Sequence, residues 1–176
     1  SLGPGTRLPS LGQVGFDELY ADYRQSARGL LEGGVDFFLL ETSQDPLQIK
    51  AALIALRAEM KAQGRELPVA LTVTLEPSGV MLLGTDLSAF VATFAPFAPL
   101  FLGLNCAAGP VELERSIREL AALSPIPLLI QPNAGLPERR EGKTVYPLSP
   151  ERFAETLSGY TRELGLAAVG GCCGTT

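Results

Sequence analysis

Short apolar runs alternate with amphipathic stretches along almost the whole chain, and this alternation limits the fold more than any other feature of the sequence. Phe16, Leu19, Tyr20, Tyr23, Ala27, Leu30 and Leu31 recur near i, i+3, i+4 and i+7, which predicts a helix over Phe16–Glu32. Gly33-Gly34 ends it, as glycine does past a helix C-terminus. The runs 35–40, 68–75, 100–105, 127–131 and 166–170 are short, apolar and bounded by turn residues, and read as buried strands. Helices are expected between them over Pro46–Ala62, 86–94, 110–123 and Pro150–Leu164, the last capped by Ser149 with Pro150 in its first turn. The stretch 132–147 reads as a long loop, and long loops in α/β folds are usually functional. Near-continuous apolar strands imply a parallel sheet covered on both faces, and their alternation with helices implies βαβ units. An open doubly wound sheet and a (β/α)8 barrel both satisfy this pattern.

Composition narrows the function classes. With 176 residues, 46% of them hydrophobic, the chain can bury the core of one domain and is not disordered. Fourteen Lys and Arg against 19 Asp and Glu give a net charge of −5, with no basic run longer than two residues, which excludes a nucleic-acid footprint and a basic membrane-surface helix. The most apolar stretch, 90–110, is interrupted by Pro96 and Pro99 and does not read as a membrane span. The first residues carry neither the basic nor the apolar region of a signal peptide, and a first residue of Ser suggests a piece of something longer. Three cysteines cannot form a closed disulfide framework, and their sparseness in an acidic chain fits a reducing cytoplasm. There is no histidine, so no Ser-His-Asp or Cys-His pair exists within the chain. Catalysis must rest on Cys, carboxylates, Tyr, Lys, backbone groups or a metal.

Active sites of parallel α/β folds lie at the C-terminal ends of the strands. In chain order those ends carry Glu41-Thr42, Glu76-Pro77-Ser78-Gly79, Asn105-Cys106, Pro132-Asn133-Ala134-Gly135 and Gly171-Cys172-Cys173-Gly174. All three cysteines therefore fall at one end of the sheet. They are open to three readings: small buried apolar residues, a strained vicinal Cys172-Cys173 redox pair, or a shared metal site. Three thiolates with one open position are the pattern of a catalytic zinc, and sulfur ligands disfavour Mg²⁺ and Ca²⁺. Adjacent cysteines on a strand point to opposite faces and reach one ion only where the strand has ended and the backbone turns. Gly170, Gly171 and Gly174 supply that freedom, although glycines after a last barrel strand also suit a phosphate cradle.

Three segments carry a family resemblance: Gly103-Leu104-Asn105-Cys106, Pro132-Asn133-Ala134-Gly135-Leu136-Pro137, and Gly170-Gly171-Cys172-Cys173-Gly174-Thr175-Thr176. Together they resemble the signatures of the homocysteine S-methyltransferase family, whose fold is a zinc-bearing (β/α)8 barrel. The Asn-Ala-Gly-Leu-Pro segment, followed by Gly142-Lys143-Thr144-Val145-Tyr146-Pro147, is most similar to the homocysteine module of the cobalamin-dependent members. Betaine- and S-methylmethionine-dependent relatives usually differ there and remain the alternative donors. The resemblance implies that Cys106, Cys172 and Cys173 hold zinc and activate L-homocysteine as a thiolate. It also implies that methylcobalamin, carried on another module, gives up the methyl group to form methionine, and that cobalamin- and folate-binding modules of a longer chain are partners. Glu41 matches the carboxylate that binds the substrate ammonium; otherwise it is an exposed loop acid. Asn133 is expected near the zinc, filling the open position without substrate; otherwise it is a turn asparagine. Nothing in the sequence assigns Tyr146, Arg139 or Arg140 to substrate or partner. Ser1-Leu2-Gly3-Pro4 resembles the end of the third barrel strand, so 1–176 is expected to be a single partial domain: βα units four to eight, without the first three units and the last helix. A non-catalytic, metal-bearing docking piece is the competing reading.

Overall fold

The computed structural model describes residues 1–175; Thr176, which closes the last signature, lies outside the described residues. In chain order the elements are α1 (Phe16–Glu32), β1 (Phe38–Ser43), α2 (Pro46–Ala62), β2 (Val69–Val73), α3 (Leu87–Phe94), β3 (Leu102–Asn105), α4 (Glu114–Leu123), β4 (Leu128–Gln131), β5 (Glu138–Arg140), β6 (Lys143–Val145), α5 (Pro150–Leu164) and β7 (Ala168–Val169). The main sheet is five-stranded and wholly parallel, in the order β1-β2-β3-β4-β7.

That order decides between the two architectures. Crossovers between parallel strands are right-handed, so strands laid down successively in one direction put every connecting helix on the same face. A doubly wound sheet reverses direction once and divides its helices between two faces. No reversal occurs here, and the sheet is a stretch of barrel wall. β1 and β7 do not pair with each other. The outer side of β1 carries one further parallel bridge, from Leu2 to Leu40, made by the Leu2 N–H to Leu39 O (2.8 Å) and the Glu41 N–H to Leu2 O (3.0 Å). The first residues thus occupy the position of a preceding strand end. Burial grades outward from the centre: β3 is buried throughout, whereas Val169 on β7 is 46% exposed.

The core lies between sheet and helices, with Phe38, Phe90, Phe94, Ile49 and Ile117 almost fully enclosed. Helix starts follow their capping chemistry. Asp45 accepts from the Leu47 N–H at 2.8 Å, Asp86 from the Ala89 N–H at 2.7 Å and Ser149 from the Arg152 N–H at 3.4 Å. Between α1 and α2, buried Glu59 accepts from Arg24 (2.7 Å) and Arg28 (2.9 Å). No described helix is long and apolar enough to cross a membrane.

The sequence boundaries need three corrections. The first strand is Phe38–Ser43 rather than 35–40, because residues 33–37 are spent crossing from the helix end to the sheet, and Phe37 stays 48% exposed at that rim. The fourth helix starts at Glu114 rather than 110; the preceding turn is closed by Leu113 N–H to Gly109 O and Glu114 N–H to Val111 O. The stretch 132–147 is not all loop, since β5 and β6 form an antiparallel hairpin within it. Alternation did not reveal that hairpin, because all three residues of β5 are exposed and polar.

Candidate metal centre

Cys106 follows β3 directly, and Cys172 and Cys173 lie three and four residues beyond β7, so strands separated only by β4 deliver all three. Their sulfurs lie within 4.8 Å of one another. Cys106 Sγ is 3.8 Å from Cys173 Sγ, and Cys172 Sγ is 4.0 Å from Cys173 Sγ. Tetrahedral zinc with Zn–S bonds near 2.3 Å requires sulfurs about 3.8 Å apart, so the spacing suits one ion held in common. None of the three is in a disulfide; Cys106 and Cys172 are half-buried and Cys173 is exposed.

Backbone geometry makes this convergence possible. The strand has ended before Cys172, as the two-sided alternation of a strand demands. Cys106 and Ala107 both take left-handed conformations (φ 62° each), and the Cys106 N–H is tied to Gln131 O at 3.0 Å. Such residues are costly and persist where the surroundings hold them. Three loops interlock around the sulfurs. The Cys172 N–H donates to Pro132 O (2.9 Å), the Ala134 N–H to Cys173 O (2.9 Å) and the Asn133 N–H to Ala108 O (2.9 Å). Gly174 is required in its place, since its φ is +78° and a Cβ there would lie 2.2 Å from the Tyr146 ring.

The donor set also asks for a cation electrically. Burial pushes the Cys172 thiol up to about 12, and its neighbours Cys106 and Cys173 push it in the same direction. Three thiolates at this spacing repel one another, and a central divalent ion reverses that balance. Tyr146 is raised as well, first by its hydrogen bond with Cys173, then by burial and by the charge of the cysteines. Among the described residues these three sulfurs are the whole of the cluster, which leaves a fourth tetrahedral position to another donor.

The remaining candidates fall as follows. Asn133 is buried beside the cysteines, and its Oδ1 accepts from the Cys173 N–H at 3.0 Å. Glu41 lies within β1 rather than after it, half-buried, on the strand next to Leu2. The salt bridges among the described residues all lie elsewhere, leaving its carboxylate uncommitted to a cation. Arg139 and Arg140 are on the exposed hairpin, where Arg140 pairs with Glu138 at 2.6 Å. Sequence reasoning did not single out Asn105 for a role of its own. It is 1% exposed, with Oδ1 accepting from the Thr42 N–H (2.7 Å) and the Thr72 hydroxyl (2.9 Å), and Nδ2 donating to Thr42 Oγ1 (2.7 Å) and toward Cys172 Sγ (3.9 Å). The available signal was a lone amide closing an otherwise apolar strand.

A stretch of parallel barrel wall with three cysteines converging past its strand ends defines a class of α/β proteins with a candidate thiolate metal site. The sequence profile described as homocysteine S-methyltransferase matches residues 1–176, and the chain belongs to that family. Over all 176 residues it is 46% identical to the methionine synthase of Mycobacterium leprae (strain TN) and 45% identical to that of Mycobacterium tuberculosis (strain ATCC 25618 / H37Rv). It spans 15% of the length of each of these relatives. Among solved structures it resembles the Escherichia coli homocysteine methyltransferase MmuM. The metallated form aligns at 25% identity with a TM-score of 0.72, over 93% of this chain and 49% of that one. The apo form gives a TM-score of 0.72 over 100% of this chain and 56% of that one.

Proposed function

We propose that this chain is the zinc-bearing part of a methyltransferase that activates L-homocysteine as a thiolate for methyl transfer, forming methionine. The observation that carries the reading is the spacing of the three sulfurs, with Cys173 Sγ 3.8 Å from Cys106 Sγ and 4.0 Å from Cys172 Sγ. A free thiol with pKa near ~8.5 is mostly protonated at neutral pH, and the chain has no histidine to act as base. Cys106, Cys172 and Cys173 would hold the zinc, which would supply the Lewis acidity that lowers the pKa of a substrate thiol, and methylcobalamin on another module would supply the methyl group. Three thiolate charges outweigh that of a divalent ion, so the cysteines would keep the substrate sulfur electron-rich and nucleophilic.

Glu41 takes the substrate ammonium by a charge-assisted hydrogen bond, and its uncommitted carboxylate supports this role. Asn133 holds Cys173 through its carboxamide and fills the open position when no substrate is bound. The cobalamin donor is supported by the segment Asn133-Ala134-Gly135-Leu136-Pro137, and the methionine synthase relatives fit it. Cobalamin- and folate-binding modules of a longer chain are the partners, and the open edges of the sheet are met by the remaining units of a barrel. Three reduced thiols suit the cytoplasm.

Metal analysis of the complete protein tests the assignment. Zinc near one per chain is expected, and Cys106→Ser, Cys172→Ser and Cys173→Ser should each lose it. Full zinc retained by Cys106→Ser overturns the ligand set.

A further inference from the structure

We propose that Asn105 is a positioning residue that joins the substrate end of β1 to the metal ligand Cys172. The proposal rests on the reading of Cys106, Cys172 and Cys173 as zinc ligands and of Glu41 as the ammonium site, and goes beyond it by assigning the group that holds the two in register.

The pairing of β1 with β2 is regular from Phe38 to Leu40, then shifts before Ser43, so Glu41 and Thr42 form a bulge. Bulges next to active sites re-aim side chains. Thr42 sits at φ 59°, a conformation that a β-branched residue adopts only where its surroundings impose it. Asn105 grips it at two points, through the Thr42 N–H and through Oγ1, both at 2.7 Å. The direction a bulge gives Glu41 is therefore set from across the sheet, by a residue of β3.

The same carboxamide has one orientation open to it. The Thr42 N–H can only donate, so Asn105 Oδ1 must face it. Thr72 donates its hydroxyl to that oxygen at 2.9 Å and completes the fixation. The amide nitrogen is then left with Thr42 Oγ1 and Cys172 Sγ, the latter at 3.9 Å, the long end for a sulfur acceptor. A donor aimed at a ligating sulfur draws electron density from it and fixes its direction, as outer-shell partners of metal ligands do. One buried side chain thus acts on a metal ligand and on the substrate strand together.

The test uses the complete protein loaded with Co²⁺ in place of zinc, because the thiolate-to-cobalt charge-transfer band reports sulfur donor strength directly. Asn105→Ala should move that band to longer wavelength and weaken homocysteine binding by ~10-fold. Glycine tolerates the left-handed conformation without a clamp, so in a Thr42→Gly background Asn105→Ala should change the homocysteine dissociation constant by no more than about twofold while the band still moves. If the buried Asn105→Ala fails to fold, Asn105→Asp decides: it keeps both bonds to Oδ1 and removes the amide donor, so the band should move with the fold retained. An unmoved band, or the same loss of homocysteine affinity with and without Thr42→Gly, overturns the proposal. A parent protein that binds neither Co²⁺ nor homocysteine overturns the metal-site reading, and this proposal with it. One that binds both, unaffected by Asn105 substitution, overturns this proposal alone.

Discussion

Cys106 is tied in place by its neighbours rather than by its own conformational preference, with φ at 62° and its N–H bonded to β4. Cys173 is held likewise by the Asn133 carboxamide at 3.0 Å. The backbone at Cys106 and Cys173 is thus held by contacts with neighbouring loops. At this scale Glu41 yields the sharpest prediction. If Glu41 takes the substrate ammonium as proposed, Glu41→Gln removes a charge-assisted hydrogen bond worth about 1.5–3 kcal/mol, so homocysteine affinity should fall by roughly 10- to 150-fold while zinc content stays constant. An unchanged homocysteine dissociation constant would refute the role. The three cysteines were legible in the sequence because they follow strands, and strand ends converge in a parallel sheet. Asn133 was legible as a neighbour of the site, but not as the acceptor for Cys173. Asn105 was not legible as a link, because a contact with Thr42 across two strands depends on register, which pattern alone does not supply.

At the scale of elements, the strands were placed to within a few residues, and the helices other than α4 better still, since caps such as Ser149-Pro150 mark their starts. The misses have physical causes. Apolar pattern cannot tell a strand from the extended segment leading into it, as at 35–37. A hairpin such as β5–β6, exposed and charged on both faces, has no apolar period to detect. The pairing of α1 with α2 rests partly on Glu59. Its carboxyl is lowered from its ordinary 4.5 to about 2 by hydrogen bonds from Arg28 and Arg24. A carboxylate whose folded pKa is depressed contributes stability that is present above its unfolded pKa and is lost as pH falls through its folded one. Acid unfolding of the complete protein should therefore lose stability between pH 4.5 and about 2, and Glu59→Gln should flatten that limb while lowering stability at neutral pH. An identical acid limb in the variant would assign the pH dependence to other carboxylates.

Across the whole molecule, the sequential strand order leaves β1 and β7 as open edges, one bridged only at Leu2 and the other ending at the exposed Val169. Exposed parallel edges carry unpaired backbone groups and recruit other strands. The 176 residues in isolation should consequently bind zinc weakly and homocysteine very poorly, because an incomplete shell is not preorganised. Tight homocysteine binding to the isolated segment, measured by calorimetry, would show that the described residues suffice. On the proposed reading, three cysteine thiolates and a zinc ion turn homocysteine into a thiolate without a base. Calorimetric titration of the zinc-loaded complete protein with homocysteine, repeated in buffers of different ionisation enthalpy, counts the protons released. A thiol with pKa near ~8.5 that binds as a thiolate at pH ~7 should release close to one proton per site, and Cys106→Ser should release none. Stoichiometric homocysteine binding without proton release would contradict the account.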